Sequence, residues 1–190
     1  MHILQLFDTP ESLAASVADY LHAGMETGEH LLAVVKQKNW TRIAQRLAER
    51  GCDVAEAGRT GQLTVLDAKT TLSLISRDGA VNQTLFGQHV GRLLARILIT
   101  SRGRVRIYGE MVDVLATEGE LAQAHHLEQF WNDLGTRQPF TLLCGYSAAH
   151  FTGHDGQPAL QVICGEHAEV RTHSSDVLAC WLLGRYGLPS

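Results

Sequence analysis

The chain switches repeatedly between short apolar runs and longer amphipathic stretches, and this alternation restricts it to an α/β architecture. His2–Phe7 is the first apolar run, followed by Asp8-Thr9-Pro10-Glu11, where Thr9 can cap a helix with proline in its first position. Leu13, Val17, Tyr20, Leu21 and Gly24 then fall on one helical face, and Gly28 closes it. Leu31–Val35 is continuous enough for a strand covered on both faces. Asn39 is a candidate cap for a second helix, with Trp40, Ile43 and Leu47 inward and Gly51 after its end. Leu63–Leu66 predicts a strand ending at Asp67, and Val81 to Arg102 predicts one long helix stopped by Gly103. Val105–Tyr108 predicts the next strand, and Leu121, Ala124, Leu127, Phe130 and Leu134 mark a further amphipathic helix. Phe140–Cys144 and Leu160–Cys164 read as two final strands, joined by a hairpin-like connection at Gly153–Pro158, and Asp176–Tyr186 as a short apolar helix or tail. Strands alternating with helices predict a mostly parallel sheet flanked by helices on both faces.

Composition narrows the function classes. A 190-residue chain with 45% hydrophobic and 19% charged residues is long and apolar enough for one sizeable core. The formal charge of −4 gives no basic footprint for nucleic acid, and the cluster Arg102, Arg104 and Arg106 reads as a solvated approach to a strand. No apolar run approaches the ~18 residues of a membrane span. The first residues lack the charged region and cleavage site of a signal peptide. Cys52, Cys144, Cys164 and Cys180 form no CxxC pair, and three of them sit in apolar runs, which predicts free thiols in a reducing cytoplasm.

Phosphate-binding chemistry has no loop to work with. There is no GxxxxGK[ST] stretch, no GxGxxG fingerprint and no GxSxG elbow. Gly24–Gly28 lies where a helix leads into a strand, the wrong polarity for a phosphate. Among ten histidines, His150 and His154 have ligand-like spacing, and His167 follows Cys164 closely. A metal site would need His150, His154 and His167 to converge, and the spacing alone does not bring them together. Cys164 with His167 is a conceivable nucleophilic pair without a third orienting group, so a structural cysteine in a strand is the preferred reading. His125 and His126 beside Glu128 read as a solvated helix face.

Ligands of parallel α/β sheets bind beyond the carboxyl ends of the strands. That rule gathers Phe7, Asp8, Lys36, Asp67, Glu110, Met111 and Tyr146 around one expected crevice suited to a small, partly apolar ligand. Glu110 could serve there as a polar ligand contact or a water-activating base; a core-bonded glutamate is the alternative.

The order of several segments resembles a known family. His2-Ile-Leu-Gln-Leu-Phe7, Gly24…Thr27-Gly28-Glu29, Tyr108-Gly-Glu110-Met-Val112, Glu128-Gln-Phe-Trp131-Asn-Asp-Leu134, Pro139-Phe-Thr-Leu-Leu-Cys144-Gly-Tyr146 and Ile163-Cys-Gly-Glu-His167 together resemble the MEDS domain. That family is named for sensory domains in methanogen and methylotroph regulators, including the dichloromethane-responsive repressor DcmR. The resemblance covers roughly residues 2 to 170. It implies a RecA/KaiC-like three-layer α/β sandwich that has lost its phosphate loop, with a sensory domain over residues 1–175 and a short apolar tail over 176–190. It further implies a signalling partner, such as a histidine kinase, a transcription regulator or an anti-sigma-type protein. Three functions follow as expectations: a sensor for a small molecule or partner, a ligand-free regulator of another protein, and a degenerate nucleotide enzyme built on Glu110. A homodimer through the apolar tail is a further expectation, with no direct nucleic-acid or membrane contact, and no cofactor follows from the sequence.

Overall fold

The computed structural model describes residues 1–101, 104–153 and 155–188. In chain order, β1 (His2–Phe7) is followed by α1 (Pro10–Glu26), β2 (His30–Val35), α2 (Gln37–Glu49), α3 (Val54–Arg59), β3 (Leu63–Asp67) and α4 (Ala68–Leu74). A two-residue hairpin, β4 (Ser76–Arg77) and β5 (Ala80–Val81), precedes α5 (Gln83–Phe86), a π-helical turn (Gly87–Gly91) and α6 (Arg92–Thr100). Then come β6 (Val105–Gly109), α7 (Met111–Thr117), α8 (Leu121–Gly135), β7 (Thr141–Ser147), a 3₁₀ turn (Ala148–Phe151), α9 (Gly156–Gly165), β8 (Glu169–Arg171) and α10 (Val177–Tyr186).

Six strands form one parallel sheet in the order β3-β2-β6-β7-β1-β8. Helices cover both faces, as the alternating pattern predicts. Ile3, Leu31, Ala33, Val35 and Tyr108 pack one face against Leu13, Val17 and Leu21 of α1 and Ile43 and Leu47 of α2. Leu4, Leu6, Leu32, Val34, Ile107 and Leu142 pack the other face against α4 to α10. Central strands buried on both sides explain the near-continuous apolar runs, each full Leu or Ile burial contributing roughly 1.5–3 kcal/mol.

Local chemistry sets the element boundaries. Thr9 and Ser12 form a reciprocal capping box with Pro10 at the start of α1. Asp53, Asp67 and Asn82 cap α3, α4 and α5 through the same three-residue reach.

Four sequence expectations are corrected. Leu160–Cys164 is helical, because Leu160, Ile163 and Cys164 are buried on one face while Val162 turns outward. Pro158 stands in the first turn of that helix, where its missing N–H costs nothing. Gly153–Pro158 is therefore part of a crossover between parallel strands, and the last strand is the short edge strand β8. The helix expected from Val81 begins at Gln83, because Asp78 and Gly79 adopt positive φ (54° and 80°) in the two-residue hairpin turn between β4 and β5. Its far end, Arg102 and Gly103, lies outside the described residues, as does His154. Asn39 does not cap α2: the helix starts at Gln37, and the Asn39 side chain is buried.

The apolar segment near the C-terminus is the helix α10, with Ala179, Leu182 and Leu183 packed into the core and Val177 and Trp181 exposed. Its first turn is held from a distance. Asp8 accepts the amides of Leu178 (2.7 Å) and Ala179 (2.8 Å), and Asp176 accepts the amides of Asp8 and His173. Asp8 thus performs an N-cap's function across 170 residues of sequence. Replacing Asp8 by Ala should cost about 1–2 kcal/mol, the usual range for a lost cap. Hydrogen exchange should then accelerate first in residues 177–186; uniform acceleration across the sheet would contradict this anchoring.

Candidate functional site

Neighbouring strands send their following helices to opposite faces around β1 and around β2, and the second of these reversals opens a cavity. After β2 the chain passes to α2 on one face, whereas β3 and β6 on either side continue into α4 and α7 on the other. The diverging helices leave a crevice of about 400 Å³ at the carboxyl ends of β2 and β3. Its lining includes Lys36, Lys38, Asp67, Lys69, Thr117 and Glu118. Such a reversal point is where open α/β sheets place ligands.

Two buried carboxylates lie behind the crevice. Glu110 is fully buried and accepts hydrogen bonds from the Lys36 amide (2.9 Å), the Tyr108 hydroxyl (2.6 Å) and the Asn39 side-chain nitrogen (3.1 Å to each oxygen). Burial pushes its carboxyl up, and these donors only partly restore it, so its net shift is upward. Asp113 accepts from the Ser147 amide (2.8 Å), contacts His150 Nε2 (2.8 Å) and is paired with the Lys36 ammonium. Burial opposes its charge as well, but His150 and Lys36 outweigh it and hold the carboxyl below the ordinary aspartate range. The two groups fasten the ends of β2, β6 and β7 to one another.

The expected crevice residues therefore separate into three environments. Lys36 and Asp67 line the cavity, although Asp67 also caps α4 through Thr70. Glu110 lies behind the wall with both oxygens bonded, and Met111 is buried in the core. Phe7 is buried beneath α1, and Asp8 serves α10. Tyr146 is buried on the opposite face of the sheet, its hydroxyl without a hydrogen-bond partner.

The histidines also divide. His150 joins Asp113, whereas His167 lies in a separate buried group with His2, Glu128 and Cys144. Glu128 is thus interior and not part of a solvated face; His125 next to it bonds Glu166 (2.7 Å). Cys164 sits in α9, where burial pushes its thiol up to about 11, so it is a poor nucleophile.

Asp113 and Ser147 complete the polar network without having been singled out from sequence, whereas Asn39 was expected as a helix cap and His150 as a candidate metal ligand. Asp113 reads locally as an ordinary acidic residue in a helix's first turn, and only its three-residue offset from Glu110 hinted that both face the strand ends.

Because the Asp113 carboxyl titrates lower in the folded than in the unfolded chain, it stabilises the fold above its ordinary value of 3.8 and ceases to do so as pH falls through its folded value. Asp113→Asn should cost roughly 3 kcal/mol at neutral pH, since it leaves Lys36 without its partner. Urea titrations from pH 7 to pH 2 should also show a shallower acid-side loss in the variant. An unchanged acid limb would show that Asp113 gains nothing from these contacts.

Among the described residues, no helix is long and apolar enough to cross a membrane. No curated protein sequence matches the chain. A KaiC-like protein from the hyperthermophilic archaeon Pyrococcus horikoshii OT3 is similar in structure, with a TM-score of 0.45 and 15% sequence identity. The match covers 77% of this chain and 60% of that one, so the chain spans less than two thirds of that protein's length. The family defined as the MEthanogen/methylotroph, DcmR Sensory domain matches residues 1–162. The chain belongs to the MEDS family of sensory domains.

Proposed function

We propose that this domain senses a small anionic or polar molecule in the crevice at the ends of β2 and β3 and passes the signal to a protein partner in the cytoplasm. The observation that carries the reading is the position of Lys36. Its side chain lines the cavity while its ammonium is paired with Asp113 and its amide with Glu110. Lysines 36, 38 and 69 stand against Asp67, Glu118 and the Asp113 partner of Lys36, so the charges balance and the cavity offers ammonium donors to a polar or anionic group.

A ligand that recruits the Lys36 ammonium competes with Asp113 for it. Asp113 also holds the Ser147 amide and His150, so the competition reaches the end of β7 and the turn before α9. The ligand shifts the population of these arrangements by its difference in affinity for them. A histidine kinase or a transcription regulator would read that change. Glu110 has no free oxygen for turnover chemistry, which favours sensing over the enzyme alternative.

A second reading, a partner contact made without any ligand, draws on α10, which presents Val177 (76% exposed) and Trp181 (50% exposed) on its outer side. The two readings separate by experiment. Small carboxylates and phosphate esters should raise the melting temperature, and titration calorimetry should give one site per chain. Lys36→Met should weaken that site roughly tenfold or more, as loss of a charge-assisted contact requires, and Trp181→Ala should leave it unchanged. If no such compound binds, or if Lys36→Met binds equally well, the crevice is not the sensing site.

A further inference from the structure

We propose that His2, Glu128, Cys144 and His167 form a closed four-ligand site for a divalent transition-metal ion of the zinc class, apart from the crevice. The four donor atoms lie within 4.8 Å of one another, contributed by β1, α8, β7 and the segment after α9. His2 Nε2 is 3.1 Å from Glu128 and 3.3 Å from Cys144 Sγ, Cys144 Sγ is 3.2 Å from Glu128, and His167 Nε2 is 3.4 Å from Glu128. A tetrahedral zinc with bonds of about 2.0–2.3 Å places its ligands roughly 3.3–3.8 Å apart; His2, Cys144 and Glu128 Oε2 already stand near that spacing, and His167 faces the second carboxylate oxygen, Oε1, in a set that spans up to 4.8 Å.

The second shell decides how the imidazoles point. Asn132 donates through Nδ2 to the Glu166 carbonyl (3.0 Å) and carboxylate (2.7 Å), which are acceptors only. Its Oδ1 is thereby turned toward His2 Nδ1 at 2.8 Å and requires a proton there. His167 Nδ1 likewise donates to the Ile163 carbonyl (2.7 Å). Both neutral rings then aim an Nε2 lone pair inward, the arrangement that metal-bound histidines adopt through their outer partners.

Without a cation the interior is poorly matched. Two imidazole lone pairs and a carboxylate face one another, with the Cys144 proton to share among them. His167 Nε2 and Glu128 Oε1 are buried 3.4 Å apart with no other partner, so a neutral ring leaves both unmatched and only an added proton or a metal ion joins them. Charging both rings would put two cations in contact, since their centroids are 4.1 Å apart. A divalent ion replaces the thiol proton, meets both lone pairs and is neutralised by one thiolate and one carboxylate, so a fully buried site carries no net charge. The mixed N₂SO donor set selects a borderline ion over calcium or magnesium. A surface depression lined by His2, Asn132 and Glu166 supplies a route inward.

The test uses the full chain without an affinity tag, because His2 follows the first residue. After chelator treatment, titration with Co²⁺ should show one ion per chain by native mass spectrometry, with tetrahedral d–d bands and a thiolate-to-cobalt band in the near ultraviolet. Zn²⁺ should bleach both. Cys144→Ser should remove the thiolate band, while a Cys52→Ser/Cys180→Ser variant keeps it. If Cys144→Ser does not fold, Asn132→Ala should lower Co²⁺ affinity by about 10–100-fold. A folded wild-type chain that retains no Co²⁺, a thiolate band that survives Cys144→Ser, or unchanged affinity in Asn132→Ala would each overturn the proposal.

Discussion

The Glu110 carboxylate is the interaction on which the rest of the strand-end architecture depends. Parallel strands finish side by side, and the chain leaves each one into a helix whose first amides have no partner within the helix. At the end of β2 the Lys36 amide is such a group, and Glu110 from the neighbouring strand accepts it. Burying a carboxylate is costly, but Tyr108, Asn39 and Lys36 supply donors to both oxygens, which turns the cost into a clamp. Asp113 repeats the device one helical turn later for β7, and Asp8 repeats it for α10. The carboxylates at this edge are spent on backbone amides and on neighbouring side chains, so the crevice is bounded by a polar wall in which Lys36 is paired with Asp113.

That wall bears on the proposed sensing site between α2 and α4. Helix α2 is tied to β6 through Asn39 and Glu110, whereas α4 is capped only by its own Asp67. The opening lies where the stitched part of the edge ends. Lys36 spans the boundary, with its backbone in the clamp and its side chain on the cavity, and no other lining residue is placed to couple an occupant to three strands.

The legible part of the fold was the part governed by periodicity. The apolar runs at His2–Phe7 and Leu31–Val35, and the capping signals at Thr9 and Pro10, are local, and each became the expected element. Leu160–Cys164 failed because a five-residue apolar run satisfies a buried strand and a buried helix equally; Pro158 and the outward Val162 were the arbitrating signals. The Asp78-Gly79 turn was also readable, yet the helical spacing beyond it overshadowed it. In the site, Lys36 and Asp67 were reachable from strand-end reasoning, as was a polar role for Glu110. The partners were not: Asn39 looked like a cap and Asp113 carried no signal of its own, because their meaning lies in contacts 71 to 77 residues away.

The two buried polar clusters at Glu110 and Glu128 differ in how the carboxylate is met. Around Glu110 both carboxylate oxygens meet donors, three groups in all, and the orphaned atom is the neutral Asn39 Oδ1. Around Glu128 the count fails: the tautomers imposed by Asn132 and Ile163 leave lone pairs converging on a carboxylate, and two atoms are orphaned. Saturated buried networks fix a fold, whereas an unsaturated one costs about 1–3 kcal/mol per orphaned group and persists only where something else supplies the missing charge. The first cluster holds the edge of the sheet in shape, and the second has the electron pairs, the burial and the oriented rings that the proposed metal site requires.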